Sequence, residues 1–289
     1  MRGLISRIFG FVAAVKFPRV LQTFINEKYV SGFKIDMSEF KQPKEYESLT
    51  ALFTRELQRP RDFDVSPQVF ISPSDGTCLE RGVSKELKAI SVKGHEYGIA
   101  ELLGDSMDRS ERDAELEYVN IYLSPRDYHR IHMPCAGRLR QMVYVPGDLF
   151  SVSPATAAAI PGLFARNERV VCVFDAPWGP WVLVLVGAAI VGSMATVWHG
   201  TVNPPRPGHI QRWDYPAHEG GGSAQAAAES ADANRKATEN AVFLDRGAEM
   251  GRFMLGSTVV MLFPAGAPRL TTAWQPGQSV RMGEPMSQA

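Results

Sequence analysis

From Pro60 onward the sequence is a succession of short apolar runs, each closed by proline or glycine. Examples are VFISPSDGT, YVNIYLSP, RLRQMVYVPGDLFSV, RVVCVFDAPWGPWVLVLVGAAIVGS and STVVMLFPAG. Runs of this length, rich in β-branched and aromatic residues and bounded by turn residues, are strand signals. No helix-length periodic segment stands between them, which points to antiparallel sheets and away from strand–helix–strand units. Neither a G-x-G-x-x-G nor a Walker loop follows a strand, so no dinucleotide or P-loop site is indicated. The stretch Ala176–Pro205 has no Asp, Glu, Lys or Arg, yet its Gly, Pro, Val and Thr content fits short buried strands with glycine turns better than a membrane-spanning helix.

The first 60 residues have a different character. Leu49, Leu52, Phe53 and Leu57 recur at helical spacing, with Ser38 and Ser48 as candidate N-caps. Nearer the N-terminus, Leu4, Ile5, Ile8, Val12 and Val15 form an apolar stripe flanked by Arg2, Arg7, Lys16 and Arg19, and the first acid is Glu27. The unbroken run Ile8–Val15 is far short of the ~20 residues a bilayer span needs. A helix lying in the membrane interface is the favoured reading, and a helix packed on the protein's own core is the other. The expected architecture is therefore α+β: N-terminal membrane-associating helices over 1–60, then a β-rich catalytic domain of antiparallel sheets over 61–289. The Gly/Ala/Ser-rich segment 217–240 is expected to be a mobile surface loop.

With 289 residues, 45 % apolar, the chain can bury a sizeable core. Its 31 basic and 31 acidic residues cancel, which argues against a nucleic-acid partner. Cys78, Cys135 and Cys172 are odd in number and widely spaced, so they supply no disulfide framework or zinc motif, and a reducing compartment is the simplest setting.

Three segments carry chemistry: SPSDGT (72–77), YLSPRDYHRIHMP (122–134) and LGST (255–258). Together they supply Asp75, His132 and Ser257, the parts of a Ser-His-Asp constellation. The G-x-S-x-G elbow is absent, which argues against an α/β-hydrolase. Ser257 follows Gly256 and opens an apolar strand, where its hydroxyl can attack the carbonyl before it; a residue without Cβ eases the strained backbone this needs. His129 lies three residues before His132. On a strand that spacing turns the two rings to opposite sides, which disfavours a shared metal.

SPRDYHRIHMP, PGDLFSV, LFARNERV, VGAAIVGS, PPRPG and MGRFMLGSTVV, in this order, resemble the bacterial phosphatidylserine decarboxylase family. The resemblance implies a proenzyme that cuts itself between Gly256 and Ser257, giving a β chain (1–256) and an α chain (257–289). Ser257 becomes a pyruvoyl group, an electron sink for decarboxylating phosphatidylserine to phosphatidylethanolamine; no metal is implied. His132 would be the general base for the cut, Asp75 would orient it, and His129, or His132 in a second role, would deliver a proton to Cα. Arg126, Tyr128 and Arg130 are candidates for holding the lipid phosphate or carboxylate, and His199 for lining the site, with His95, His209 and His218 structural or at the surface. The resemblance further implies a homodimer, peripheral on the cytoplasmic side of the cell membrane, with Leu149-Phe150 adding to the membrane contact. The competing readings are a Ser-His-Asp lipid hydrolase with an intact chain, and a non-enzymatic membrane-binding module.

Overall fold

The computed structural model describes residues 12–84, 88–90, 96–104, 106–107, 115–188, 193–203, 207–216, 235–237, 240–254 and 257–288. Most of the expected interfacial stripe, as well as His95, His218, Gly256 and residues 217–234, lies outside them.

The N-terminal layer holds helix α1 (Arg19–Phe33), a 3-10 turn at Pro43–Glu45 and the short helix α2 (Leu49–Phe53). Ser48 caps α2 as expected, its hydroxyl accepting from the Ala51 N–H at 3.1 Å. Ser38 does not cap a helix. Its N–H donates to Asp36 Oδ1 in a turn, because the neighbouring carboxylate is the better acceptor.

Helix α3 (Ile99–Leu103) lies between the early strands, and α4 (Pro154–Ala159) and α5 (Leu163–Arg166) between the middle ones. The strands are β1 (Gly76–Ser84), β2 (Lys88–Ile90), β3 (Glu96–Gly98), β4 (Leu116–Leu123), β5 (Arg130–His132), β6 (Gly137–Val145), β7 (Arg169–Ala176) and β8 (Gly179–Val186). They continue with β9 (Met194–Thr196), β10 (Gly200–Asn203), β11 (Gln211–Asp214), β12 (Arg235–Ala237), β13 (Val242–Leu244), β14 (Glu249–Phe253), β15 (Ser257–Pro264) and β16 (Ser279–Val280). A ten-stranded sheet runs β12-β11-β6-β7-β8-β15-β4-β1-β16, with β13 also on β6, and a four-stranded sheet runs β10-β9-β14-β5. The α+β expectation is met, and the uncharged stretch 176–205 forms short strands as read. One pairing in the large sheet is parallel, β11 with β12. It places a strand inside the segment expected to be one mobile loop, because the open edge of β11 offers unpaired backbone groups to any passing chain.

Alternation along β15 organises the packing. Val259, Met261 and Phe263 join the core between the two sheets, with Ile131, Met194 and Phe253 of the small sheet. Val260 and Leu262 face the other way, into a second core covered by Ile99, Leu102, Leu163 and Phe164 of the helices. These five β15 residues are each at most 1 % exposed, worth on the order of 10 kcal/mol of gross apolar burial. The strand lies between β4 and β8, so both of its edges are hydrogen-bonded.

Two motifs from the sequence dock on each other at one end of the large sheet. In PGDLFSV the Asp148 N–H donates to the Arg166 carbonyl and the Phe150 N–H to Asn167 Oδ1 of LFARNERV. Phe150 is half-buried, with Arg166 4.8 Å over its ring, and so packs on its own protein. A Cβ on Gly147 would lie 2.4 Å from the Arg166 carbonyl oxygen. Gly147→Ala is therefore expected to cost about 1–3 kcal/mol, read as a clear drop in Tm on thermal denaturation.

Candidate active site

Two connections pass side by side from one sheet to the other. β4 ends at Leu123, directly opposite Ser257, the first residue of β15. β14 ends at Phe253, whose N–H donates to the His129 carbonyl at 3.1 Å, just before β5. Residues 124–129 thus run from the partner of Ser257 to the partner of Phe253. The first connection is a tight turn: Asp127 Oδ2 accepts from both the N–H and the hydroxyl of Ser124, each at 2.7 Å. Arg55 holds it from the N-terminal layer by donating to the carbonyls of Arg126 and Asp127. SPSDGT lies along β5, where the Pro73 carbonyl accepts the His132 N–H at 2.8 Å. The three segments singled out in the sequence therefore meet at this junction.

Ser257 is completely buried, and its hydroxyl has no hydrogen-bond partner among the described residues. By alternation it faces the inter-sheet core. A buried hydroxyl without a partner is costly and rare, and it marks a site where chemistry takes precedence over packing.

Both histidines are fixed in tautomer by backbone carbonyls, which can only accept. His129 Nδ1 lies 2.8 Å from the Asp127 carbonyl, so Nδ1 carries the proton and Nε2 is a bare lone pair. That Nε2 is buried and unpartnered, and the ring packs on Phe53 with centroids 4.0 Å apart. Burial pushes the His129 pKa down to about 3, so it is neutral at ordinary pH. His132 Nδ1 donates to the Gly247 carbonyl at 2.7 Å, which leaves Nε2 to accept from the Tyr128 hydroxyl at 2.9 Å. Burial lowers the His132 pKa too, and raises that of Tyr128. Gly247 has φ 79°, and a Cβ there would strike the Phe63 ring at 2.4 Å, so the carbonyl that orients His132 depends on glycine.

Asp75 does not touch His132. Its carboxylate pairs with both ends of the Arg61 guanidinium, at 2.5 and 3.0 Å, and accepts the Met282 N–H at 2.8 Å. Arg61 in turn holds Glu39 and lies 5.8 Å over the Tyr128 ring. Asp75 thus reaches His132 only through Arg61 and Tyr128, since a forked guanidinium satisfies a carboxylate better than one imidazole N–H. Arg130 is committed to Glu249, Glu56 and the Thr54 carbonyl, and Tyr128 is buried against His132. Of the three expected headgroup ligands, only Arg126 is exposed. His199 is exposed in the β9–β10 turn against Trp213, at the end of β9 away from Met194, which pairs with Phe253. Among the described residues, no cluster of His, Cys, Asp or Glu is placed to hold a metal ion.

The class defined so far is a protein with a buried serine hydroxyl and two neutral histidines at the junction of two antiparallel sheets, lacking a hydrolase elbow. The model of one family, phosphatidylserine decarboxylase, matches residues 49–288. The phosphatidylserine decarboxylase proenzyme of Methylibium petroleiphilum is 46 % identical over 280 residues, covering 96 % of this chain and 90 % of the relative. That of an Azoarcus species is 47 % identical, over 92 % of this chain and 85 % of the relative. That of Photobacterium profundum is 43 % identical, over 98 % and 92 %. The chain belongs to the phosphatidylserine decarboxylase family.

The His129 shift fixes a pH dependence. The unfolded chain, with a value near 6.5, binds a proton that the folded chain, near 3, refuses. Stability is therefore full above about 6.5 and declines as pH falls toward 3, by at most about 5 kcal/mol. Urea midpoints across this range are expected to fall less steeply with acid in His129→Gln than in the wild type.

Proposed function

We propose that this chain is a proenzyme that cuts itself before Ser257 and then decarboxylates phosphatidylserine to phosphatidylethanolamine. The observation that carries the reading is the buried, unpartnered Ser257 hydroxyl at the head of β15, beside the histidine-bearing connection. In the cut, the hydroxyl adds to the Gly256 carbonyl and the amide becomes an ester. Elimination frees the Gly256 carboxylate and leaves a dehydroalanine, which takes up water to give a pyruvoyl group and ammonia. Ser257 fits this fate: it is set by the ladder to Leu123, and its hydroxyl is free of any bond that must first be broken.

His132 is the base proposed for the cut, with its Nε2 lone pair and the Tyr128 hydroxyl on it as the group that yields or relays. Asp75 supports it indirectly, by fixing Arg61 over Tyr128. In the second reaction, the pyruvoyl carbonyl supplies the electron sink that a carbanion at Cα requires. The substrate amine arrives as an ammonium and must shed a proton. That proton can leave with the water released as the amine condenses with the ketone, and His129, whose Nε2 is unpartnered, is the group proposed to deliver a proton to Cα after CO2 departs.

The α chain would stay bound, since β15 is hydrogen-bonded on both edges and β16 pairs with β1. The division into an N-terminal layer and a catalytic domain at residue 60 rests on the change in sequence character at Pro60, and the homodimer on the family resemblance. We place the protein peripherally on the cytoplasmic side of the membrane. Val20, Leu21 and Phe24 of α1 are 86, 46 and 56 % exposed, an apolar face suited to lipid. No described helix is long and apolar enough to cross a membrane. The three cysteines are free and buried, in keeping with a reducing compartment.

Mass spectrometry of the wild type is expected to find a chain spanning residues 257–289 with a pyruvoyl N-terminus. Ser257→Ala is expected to stay whole at 31.9 kDa and to release no CO2 from phosphatidylserine. A working, uncut wild-type chain would instead favour a lipid hydrolase. Val20→Glu combined with Phe24→Glu is expected to lower sedimentation with anionic liposomes while leaving the cut unaffected.

A further inference from the structure

Arg55 carries a charge that no side chain in the described structure answers. It follows Thr54, the C-cap of α2, and is 2 % exposed. Its Nη2 donates to the carbonyls of Arg126 and Asp127, at 2.7 and 2.9 Å, and its guanidinium lies 4.6 Å over the Phe40 ring. Nε and Nη1 are buried with no hydrogen-bond partner. Asp75 and Asp127 act on it only at longer range. A buried cation without an anion is unfavourable, and natural proteins keep such groups chiefly where a ligand completes them.

Arg55 lines a cleft of about 350 Å³. Each acid on the cleft wall has a hydrogen-bond partner, but only Glu39 and Asp75 are hydrogen-bonded to cations. Asp36 accepts from the Ser38 N–H, Glu39 is held by Arg61 and Arg281, Asp75 by Arg61, and Asp127 by Ser124. Nor are all the cations so paired. Lys34 projects from the left-handed residue that ends α1 and is exposed. Arg126 is also exposed, and its nearest carboxylate oxygen, on Asp127, is 3.8 Å away. Arg61 and Arg281 offset Glu39 and Asp75, and against the two remaining acids, Asp36 and Asp127, the cleft sets three cations, Arg55, Lys34 and Arg126, so it stays net positive.

We propose that this cleft binds a phosphate group, with Arg55 at its base and Lys34 and Arg126 at its mouth. Guanidinium forks match phosphate oxygens, and several cations converging from different elements suit a tetrahedral anion better than a planar carboxylate. The volume leaves room for a phosphodiester with a short polar arm. Arg126 and Asp127 belong to the connection that starts opposite Ser257 and ends at His129, so the bound anion lies beside the candidate active site. The group is either the phosphodiester of a lipid headgroup or free phosphate. The lipid source rests on the decarboxylase reading; the free-phosphate source does not.

Titration calorimetry on the full, purified protein tests this, with inorganic phosphate and glycerophosphoserine as probes. The two probes are expected to compete for one site, and Lys34→Ala/Arg126→Ala to weaken binding at least tenfold. Arg55→Lys, which keeps the charge but loses the fork, is expected to weaken it further; the surface pair keeps the test usable should Arg55→Lys fail to fold. Tighter binding of glycerophosphoserine, with a tenfold higher KM for phosphatidylserine and an unchanged kcat in the surface pair, assigns the lipid headgroup. Equal or tighter binding of inorganic phosphate assigns free phosphate. Absence of saturable binding by either probe, or equal binding by the variants, overturns the proposal. Self-cleavage and CO2 release by the wild type test the decarboxylase reading separately.

Discussion

The pairing of Ser257 with Leu123 is the contact on which the site depends. It fixes where β15 begins, and a strand's side chains alternate, so it also fixes which way every residue of β15 points. A slip of one residue would turn Val259, Met261 and Phe263 out of the inter-sheet core and carry the serine hydroxyl to the opposite face. The five apolar residues after Ser257 hold the register through burial on both faces, and β4 and β8 hold it through hydrogen bonds on both edges. The reactive hydroxyl is thus placed by packing along the whole strand more than by contacts of its own.

Around it, the polar groups are arranged by backbone carbonyls. Asp127 and Gly247 each present an oxygen to a histidine Nδ1, and each choice leaves a lone pair on Nε2. The two rings then diverge in environment. His132 is half-buried and bonded to Tyr128, whereas His129 is sealed behind Phe53 with nothing on its free nitrogen. Two similar side chains three positions apart are thereby given different partners and different access.

Much of this was legible in the sequence because it rests on local pattern. The strand character after Pro60 came through clearly, since turn residues and β-branched runs are short-range signals. SPRDYHRIHMP stood out as dense polar chemistry, whereas SPSDGT and LGST are weak signals alone and were joined to it only through the Ser-His-Asp residue types and the family resemblance. The relation between Asp75 and His132 was not legible. Arg61, which takes up the Asp75 carboxylate, lies in PRDFD, a segment with no motif, and the contact spans two layers of the fold. Arg55 was equally silent, one basic residue after a short helix; only burial sets it apart from Arg59. The oxygen that orients His132 belongs to Gly247, a backbone atom that no side-chain pattern announces. The strand β12 went unseen because what decides it is an open sheet edge rather than its own composition.

The depth of Ser257 has one more consequence. Chain ends ordinarily lie in water, but a break before Ser257 would create one in the middle of a sheet, at a residue with no exposed surface. Plain hydrolysis there would leave an ammonium group stranded in a medium that solvates charge poorly, and the strand would be driven to pull away. Discarding the nitrogen as ammonia, with a neutral keto group in its place, lets the new terminus stay where it was made. A fold that would hide a severed end so well would tolerate such a cut only if the cut also erased the charge.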